Sequence, residues 1–213
     1  MNSVEVDSIQ FVSADRELWL RQVSDIYQKH IQNHVNVKSV LEFGPSIRVG
    51  EIKPFHLVTL ACLIHYLDSV GQLVAISNSN LGVFNYIYND LKLYEYWSGG
   101  RNHVETNSSR TNKIFNLWRI VENEKDLYAK RVEDYFRRQY FRNKDLSVIY
   151  LSLVEAYYNV FDHAKANGNA FSVLQYDEEN AILYVAISDF GIGIAQSVRN
   201  FDERIKNDKD AIM

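Results

Sequence analysis

The chain contains very little cysteine or proline, and it has no long hydrophobic run. Its 213 residues include one cysteine, Cys62, and two prolines, so an internal disulfide is excluded. Cys62 lies within an apolar stretch, which is typical of a small core residue rather than a nucleophile. Residues 1–10 carry acids and no apolar run of signal length, and no segment approaches the length that spans a bilayer. We therefore expect a cytoplasmic protein that is not bound to a membrane.

Positive charge is not in excess either. The formal net charge is −4 at pH 7, which gives no general basic field for nucleic acid, so we expect no nucleic-acid partner. Basic residues between Lys130 and Lys144 are interspersed with Glu133 and Asp134. This pattern is typical of a solvated helix face, with docking of a protein partner as the alternative.

The first half of the sequence alternates between helical and strand patterns. We predict a helix over residues 15–30, a strand over 37–43, a helix over 54–69, a buried strand over 73–76 and a helix from 84 to 91. A short, continuously apolar strand between helices favours an α/β layer over a helical bundle.

One polar segment is the best candidate for a linker. Residues 98–112 are polar and contain Gly99-Gly100, which is typical of a break between domains. We therefore expect an N-terminal helical segment (residues 1–35), an α/β domain (36–97), the linker (98–112) and a second domain (113–213).

Three polar residues follow one another at four-residue spacing in a helical stretch: Glu155, Asn159 and His163. Each four-residue step drifts only about 40° around a helix, so these side chains share one face. The other half of the helical wheel is apolar and carries Leu146, Ile149, Leu153, Tyr157, Val160, Phe161 and Ala164. We therefore expect the polar row to line a functional site. It supplies a general base, a neutral oxygen for a metal and a donor for phosphate oxygens.

A carboxylate ends the apolar strand predicted over residues 180–189, and two glycines follow it. The side chains expected to alternate onto its buried face are Leu183, Val185 and Ile187. Asp189 ends the same face, where an unpaired carboxylate would be costly and an adenine amino group would serve as its donor. Gly191 and Gly193 allow a tight turn and close approach of the backbone to a ligand.

These residues resemble the GHKL ATPases, a family that includes gyrase, histidine kinases and anti-sigma-factor serine kinases. The matches are Glu155, Asn159 and His163 to the asparagine box, and Asp189, Gly191, Gly193 and Ile194 to the first glycine box. The order of helix, hairpin and glycine turn also resembles the family. The resemblance implies that ATP and magnesium bind here. Glu155 would then orient or activate the attacking nucleophile, Asn159 would ligate magnesium, His163 would approach the phosphates and Asp189 would accept a hydrogen bond from the adenine amino group.

The first domain is similar to a STAS domain, on the order of its strands and helices. Such domains commonly present a phosphoacceptor at the start of a helix, whereas this chain reads Lys53-Pro54-Phe55-His56 there, so we expect no phosphorylation. The fold class we predict is α/β (α+β). It comprises a STAS-like α/β domain followed by the first half of a Bergerat-type helix/sheet sandwich.

The lid and the second glycine-rich box of a GHKL domain do not follow residue 194. We therefore expect this chain to bind nucleotide weakly and to be inactive by itself. The resemblance implies a regulatory protein whose lid-complete form is an ATPase or a serine/threonine kinase acting on a protein partner. The alternative is a non-catalytic module, either nucleotide-sensing or purely an interaction module with a vestigial pocket.

Overall fold

The computed structural model describes residues 5–31, 37–91, 93, 114–163, 165 and 170–191. Its strands are β1 (Glu5–Phe11), β2 (Val37–Phe43), β3 (Leu73–Ile76), β4 (Ile114–Arg119), β5 (Ala170–Asp177) and β6 (Ile182–Asp189). Its α-helices are α1 (Arg16–Ile31), α2 (Pro54–Ser69), α3 (Leu81–Asn85), α4 (Lys125–Gln139) and α5 (Ser147–Tyr158). Helices α3 and α5 continue into π-helical segments, Tyr86–Asp90 and Asn159–His163, and short 3₁₀ turns lie at Val49–Glu51 and Glu122–Glu124. The fold is mixed α/β, as predicted.

The chain divides into two compact units. The first comprises Met1–Trp118 and Phe171–Ser188, and the second comprises Arg119–Ala170 and Asp189–Met213. The hairpin strands β5 and β6 therefore belong largely with the N-terminal elements. The linker predicted at residues 98–112 lies outside the described residues, so the predicted domain boundaries stay a prediction.

A parallel sheet of order β1-β2-β3 organises the first unit. Strand β1 pairs with β2 along its whole length, from Glu5 opposite Val37 to Phe11 opposite Phe43, and β2 pairs with β3. The predicted bounds of β2, α2 and β3 are confirmed, and α1 differs from its predicted span by one residue at each end. Strand β1 is a correction, because the sequence analysis places residues 5–11 in an N-terminal helical segment.

Helix α2 is the centre of the first core. It begins at Pro54, which suits the first helical position because its missing N–H would have no partner there,. Nearly every turn is buried on all sides, and the buried residues include Leu57, Leu60, Leu63, Ile64 and Leu67. Cys62 is fully buried, and its thiol donates to the carbonyl oxygen of Ser188 in β6 at 3.3 Å. Its prediction as a small core residue is confirmed.

The second sheet has the order β4-β5-β6 and is antiparallel. Its β5-β6 hairpin, which the sequence predicts, closes on Asp177. The carboxylate of Asp177 accepts hydrogen bonds from the backbone N–H groups of Glu179 and Asn180, at 3.1 and 3.2 Å. Such a side-chain bond to the backbone two or three residues ahead stabilises a tight turn.

No helix of the described ranges is long and apolar enough to cross a bilayer.

Candidate functional site

Helix α5 has the two faces that its sequence predicts. Leu153, Tyr157 and Val160 are buried, whereas Glu155 and Asn159 are exposed. The other members of the predicted apolar face are Leu146, Ile149 and Phe161, which are half-buried, and Ala164, which lies outside the described residues. The carboxylate and the amide are therefore accessible to a ligand.

Tyr157 anchors this helix against α4. Its ring is fully buried and lies 5.7 Å from the ring of Tyr128, at an interplanar angle of 55°. Helix α4 buries the rest of its inner face at Ala129, Val132, Tyr135 and Phe136. Aromatic pairs in such tilted geometry add to the gain from burial, so the contact stabilises the packing of α5 against α4. Glu155 is thus presented on a packed helix, and Asn159 begins the π-helical segment that follows it.

The backbone changes its hydrogen-bonding pattern at Asn159. The α-helix ends at Tyr158 and the π-helical segment begins with Asn159. A π-helical turn closes i→i+5 bonds, so the step from Asn159 to His163 no longer follows the α-helical spacing on which the predicted row depends. Single π-helical turns within α-helices occur frequently at functional sites. The side chain of His163 lies outside the described residues, and its phosphate role stays a prediction.

Asp189 and Gly191 form a closed local turn after β6. The Oδ1 atom of Asp189 accepts a hydrogen bond from the backbone N–H of Gly191 at 2.9 Å. No residue of the described ranges donates to the other oxygen, Oδ2, so this half-buried carboxylate has one fixed oxygen and one oxygen free to accept. Gly193 and Ile194, the remaining residues of the predicted glycine box, lie outside the described residues.

The predicted buried face of β6 is wrong. Val185, one of its three members, is 45% exposed, and the buried side chain of this strand is Ala186, on the opposite face and 8% exposed. Strand β6 is apolar on both faces, because Ile182, Tyr184 and Ala186 alternate with the predicted set. Alternation alone therefore could not decide which face is buried. Asp189 and its neighbours Leu183 and Ile187 on the predicted face are half-buried.

One further polar residue lies beside the exposed face of α5, and sequence reasoning missed it. Lys125 begins α4, and its ammonium nitrogen lies 4.3 Å from the ring centroid of Tyr158. It also donates to the carbonyl oxygen of Glu122 at 3.3 Å. No sequence spacing could reveal this contact, because it depends on how two helices pack.

Apolar side chains adjoin the polar row on the exposed side of α5. Val148 is 72% exposed, Leu151 is 61% exposed and Tyr158 is 42% exposed. With Glu155 they recur at three- and four-residue intervals, so they form one stripe along the helix.

The structure brings part of the predicted site into one unit. Helix α5 with Glu155 and Asn159 belongs to the same compact unit as Asp189 and Gly191. Within the described ranges, no three histidine, cysteine, aspartate or glutamate side chains converge to hold a metal ion. Magnesium held by one amide oxygen and phosphate oxygens does not need such a cluster, because this ion usually keeps several waters.

Comparisons with known proteins identify no relative of this chain. No protein-family model matches it, and no curated protein and no solved structure match it. Only the side chains and their geometry therefore bear on function.

Proposed function

We propose that this chain is a regulatory protein that binds adenine nucleotide and magnesium through a GHKL-type site and acts on a protein partner. One observation carries the proposal. Helix α5 presents Glu155 and Asn159 on its exposed side, in the same compact unit as the turn formed by Asp189 and Gly191. The two sequence motifs thus fall within one compact unit.

The exposed residues of α5 fit the phosphate end of a nucleotide. The amide oxygen of Asn159 is a neutral, hard ligand of the kind that magnesium accepts beside phosphate oxygens and water. The carboxylate of Glu155 is accessible and can take a proton from an attacking water or hydroxyl group. Bound ATP would supply the phosphoryl group that such an attack transfers.

The Asp189 turn fits the adenine end. The N–H of Gly191 holds one carboxylate oxygen, which orients the other towards a donor such as the adenine amino group. GTP presents a carbonyl oxygen at that position, and two facing acceptors should cost about 1–3 kcal/mol. The site should therefore prefer ATP.

The finer fold assignments belong to the same proposal. The order of elements from β2 to α3 supports a STAS-like first domain, and the order from α4 to β6 supports the first half of a Bergerat-type sandwich. Cys62, the single cysteine of the sequence, is a buried thiol, and such sparse use of cysteine supports a reducing compartment such as the cytoplasm,.

A second candidate function is a protein-interaction module whose nucleotide pocket is vestigial. The observation that favours it is the group of exposed apolar side chains Val148, Leu151 and Tyr158, which lie with Glu155 in one stripe along α5, since neighbouring exposed apolar side chains mark contact surfaces. This candidate needs no nucleotide.

Calorimetric titration with ATP, with and without magnesium, tests the proposal. We expect magnesium to strengthen ATP binding by the wild-type chain, and we expect Asn159→Ala to remove that effect. The matched control is Asn89→Ala, which deletes another exposed amide on a π-helical segment. No ATP binding at millimolar concentration would contradict the proposal and leave the interaction module.

A phosphate-release assay then distinguishes an ATP-hydrolysing enzyme from a nucleotide switch that binds without turnover. If the chain hydrolyses ATP, Glu155→Gln should lower turnover by about 10²- to 10⁴-fold, the usual contribution of a general base, while nucleotide affinity stays the same. Binding without turnover would identify a nucleotide switch.

A further inference from the structure

Lys125 is held in one place by two contacts. Its ammonium lies over the ring of Tyr158, 4.3 Å from the centroid, and donates to the carbonyl oxygen of Glu122 at 3.3 Å. A lysine side chain is ordinarily flexible, and an aromatic face beneath the ammonium restricts it. The charge is therefore localised before any ligand arrives.

Among the described residues, this charge has no anionic partner, unlike its neighbours on α4. Lys130 pairs with Glu133 at 2.7 Å, and Arg137 pairs with Asp134 at 2.6 Å. In the ranges that the structure describes, no carboxylate lies within ion-pair distance of Lys125. The side chain is also half-buried, so an anion bound there would meet a partly desolvated cation, where charge-assisted hydrogen bonds are strongest.

The position of Tyr158 places the ammonium beside the polar row of α5. Tyr158 directly precedes Asn159 and follows Glu155 by three residues, and all three are exposed. Residues three apart on a helix are surface neighbours, with their Cβ atoms about 5–6 Å apart. The ammonium therefore lies on the side of α5 that carries Glu155, where the terminal phosphate would meet the attacking group,.

We infer that Lys125 is a phosphate-binding residue of this site, contributed by α4, and that it contacts the terminal phosphate of a nucleoside triphosphate. The inference rests on the proposed nucleotide site. It adds a positive charge from an element outside both sequence motifs. Tyr158 is the positioning residue, because its ring holds the ammonium without neutralising it.

Dissociation constants of ATP, ADP and AMP, measured with magnesium, test this assignment. A hydrogen bond to a charged group contributes about 1.5–3 kcal/mol, so Lys125→Met should weaken ATP binding by about 10- to 150-fold. ADP should lose less and AMP should be unchanged. Lys125→Arg, which keeps the charge, should retain most of the ATP affinity.

Lys144→Met is the matched control, because it removes the same charge from an exposed position in the same unit. It should leave all three constants unchanged. Tyr158→Leu should weaken ATP binding by a smaller factor than Lys125→Met. Thermal unfolding of each variant checks that the fold is retained.

The outcomes separate the two proposals. If the wild-type chain binds ATP and Lys125→Met binds it equally well, Lys125 has no phosphate role while the nucleotide site stands. An equal loss of ATP and AMP affinity, or an equal effect of Lys144→Met, would also overturn the assignment. Failure of the wild-type chain to bind any of the three nucleotides would overturn both.

Discussion

Acidification below about pH 6.5 should weaken the first unit through one buried histidine, His56. The ring is almost inaccessible to solvent. It packs edge-on against Trp19, with the two ring centroids 4.7 Å apart. Its Nδ1 atom accepts a hydrogen bond from the backbone N–H of Lys53 at 2.8 Å, so Nε2 carries the proton and donates to the carbonyl oxygen of Ala14 at 3.0 Å. Both ring nitrogens are thus satisfied only in the neutral state.

Burial, which removes water from the charged form, lowers the pKa of His56 below its ordinary value of 6.5, and the positive charge of Lys53 lowers that pKa further. The unfolded chain therefore binds more protons than the folded chain between pH 6.5 and the lower folded pKa. The stabilisation is complete above pH 6.5 and is lost as the pH falls through that window, by at most about 1.4 kcal/mol per pH unit. A protonated Nδ1 would also face the N–H of Lys53, donor against donor.

Urea unfolding of the wild-type chain and of His56→Gln, between pH 5 and pH 8, measures this contribution. Glutamine at the third helical position can accept the capping bond from the N–H of Lys53 and does not titrate. The difference in free energy of unfolding between the two proteins should be constant above pH 6.5. As the pH falls below 6.5, the wild type should lose stability relative to His56→Gln. A difference that is independent of pH would refute the reasoning.

Three other substitutions should have defined effects. Thr59→Val should lower the free energy of unfolding by about 1–3 kcal/mol, because it leaves the buried Nε1 donor of Trp19 without its acceptor at 3.0 Å, and Thr59→Ser should restore most of this in urea unfolding,. Tyr157→Ala should destabilise the second unit by about 3–5 kcal/mol in thermal or urea melts, as large-to-small changes in cores do, whereas Tyr158→Ala should cost far less. Leu151→Ser should leave the melting temperature nearly unchanged but abolish binding to a protein partner, measured by titration with that partner, if the α5 stripe is a contact surface.

The elements that could be predicted are those encoded by local pattern. The helical spacing of α2 and the short apolar run of β3 lie within single segments, so the sequence predicts their bounds. Strand β1 could not be found this way. Its acids, Glu5 and Asp7, are typical of an exposed tail. It is a strand because every residue pairs with β2, which follows α1 in the sequence.

The candidate site likewise contains residues that local sequence pattern predicts and residues that it does not. Glu155 and Asn159 share a helix, so their common face followed from spacing alone. Lys125 could not be found, because its contact with Tyr158 depends on the packing of α4 against α5. Val185 is exposed although the sequence predicts it to be buried, because both faces of β6 are apolar and alternation does not distinguish them,.

The most direct test of the nucleotide site is its choice of base. We predict that the wild-type chain binds ATP about 5- to 150-fold more tightly than GTP, the ratio that corresponds to about 1–3 kcal/mol. Asp189→Ala should remove this preference together with much of the ATP affinity, whereas Asp177→Ala, which removes the carboxylate of the β5-β6 turn, should keep the preference. Equal affinity of the wild-type chain for ATP and GTP would show that Asp189 only caps its turn, and it would contradict the proposed adenine site.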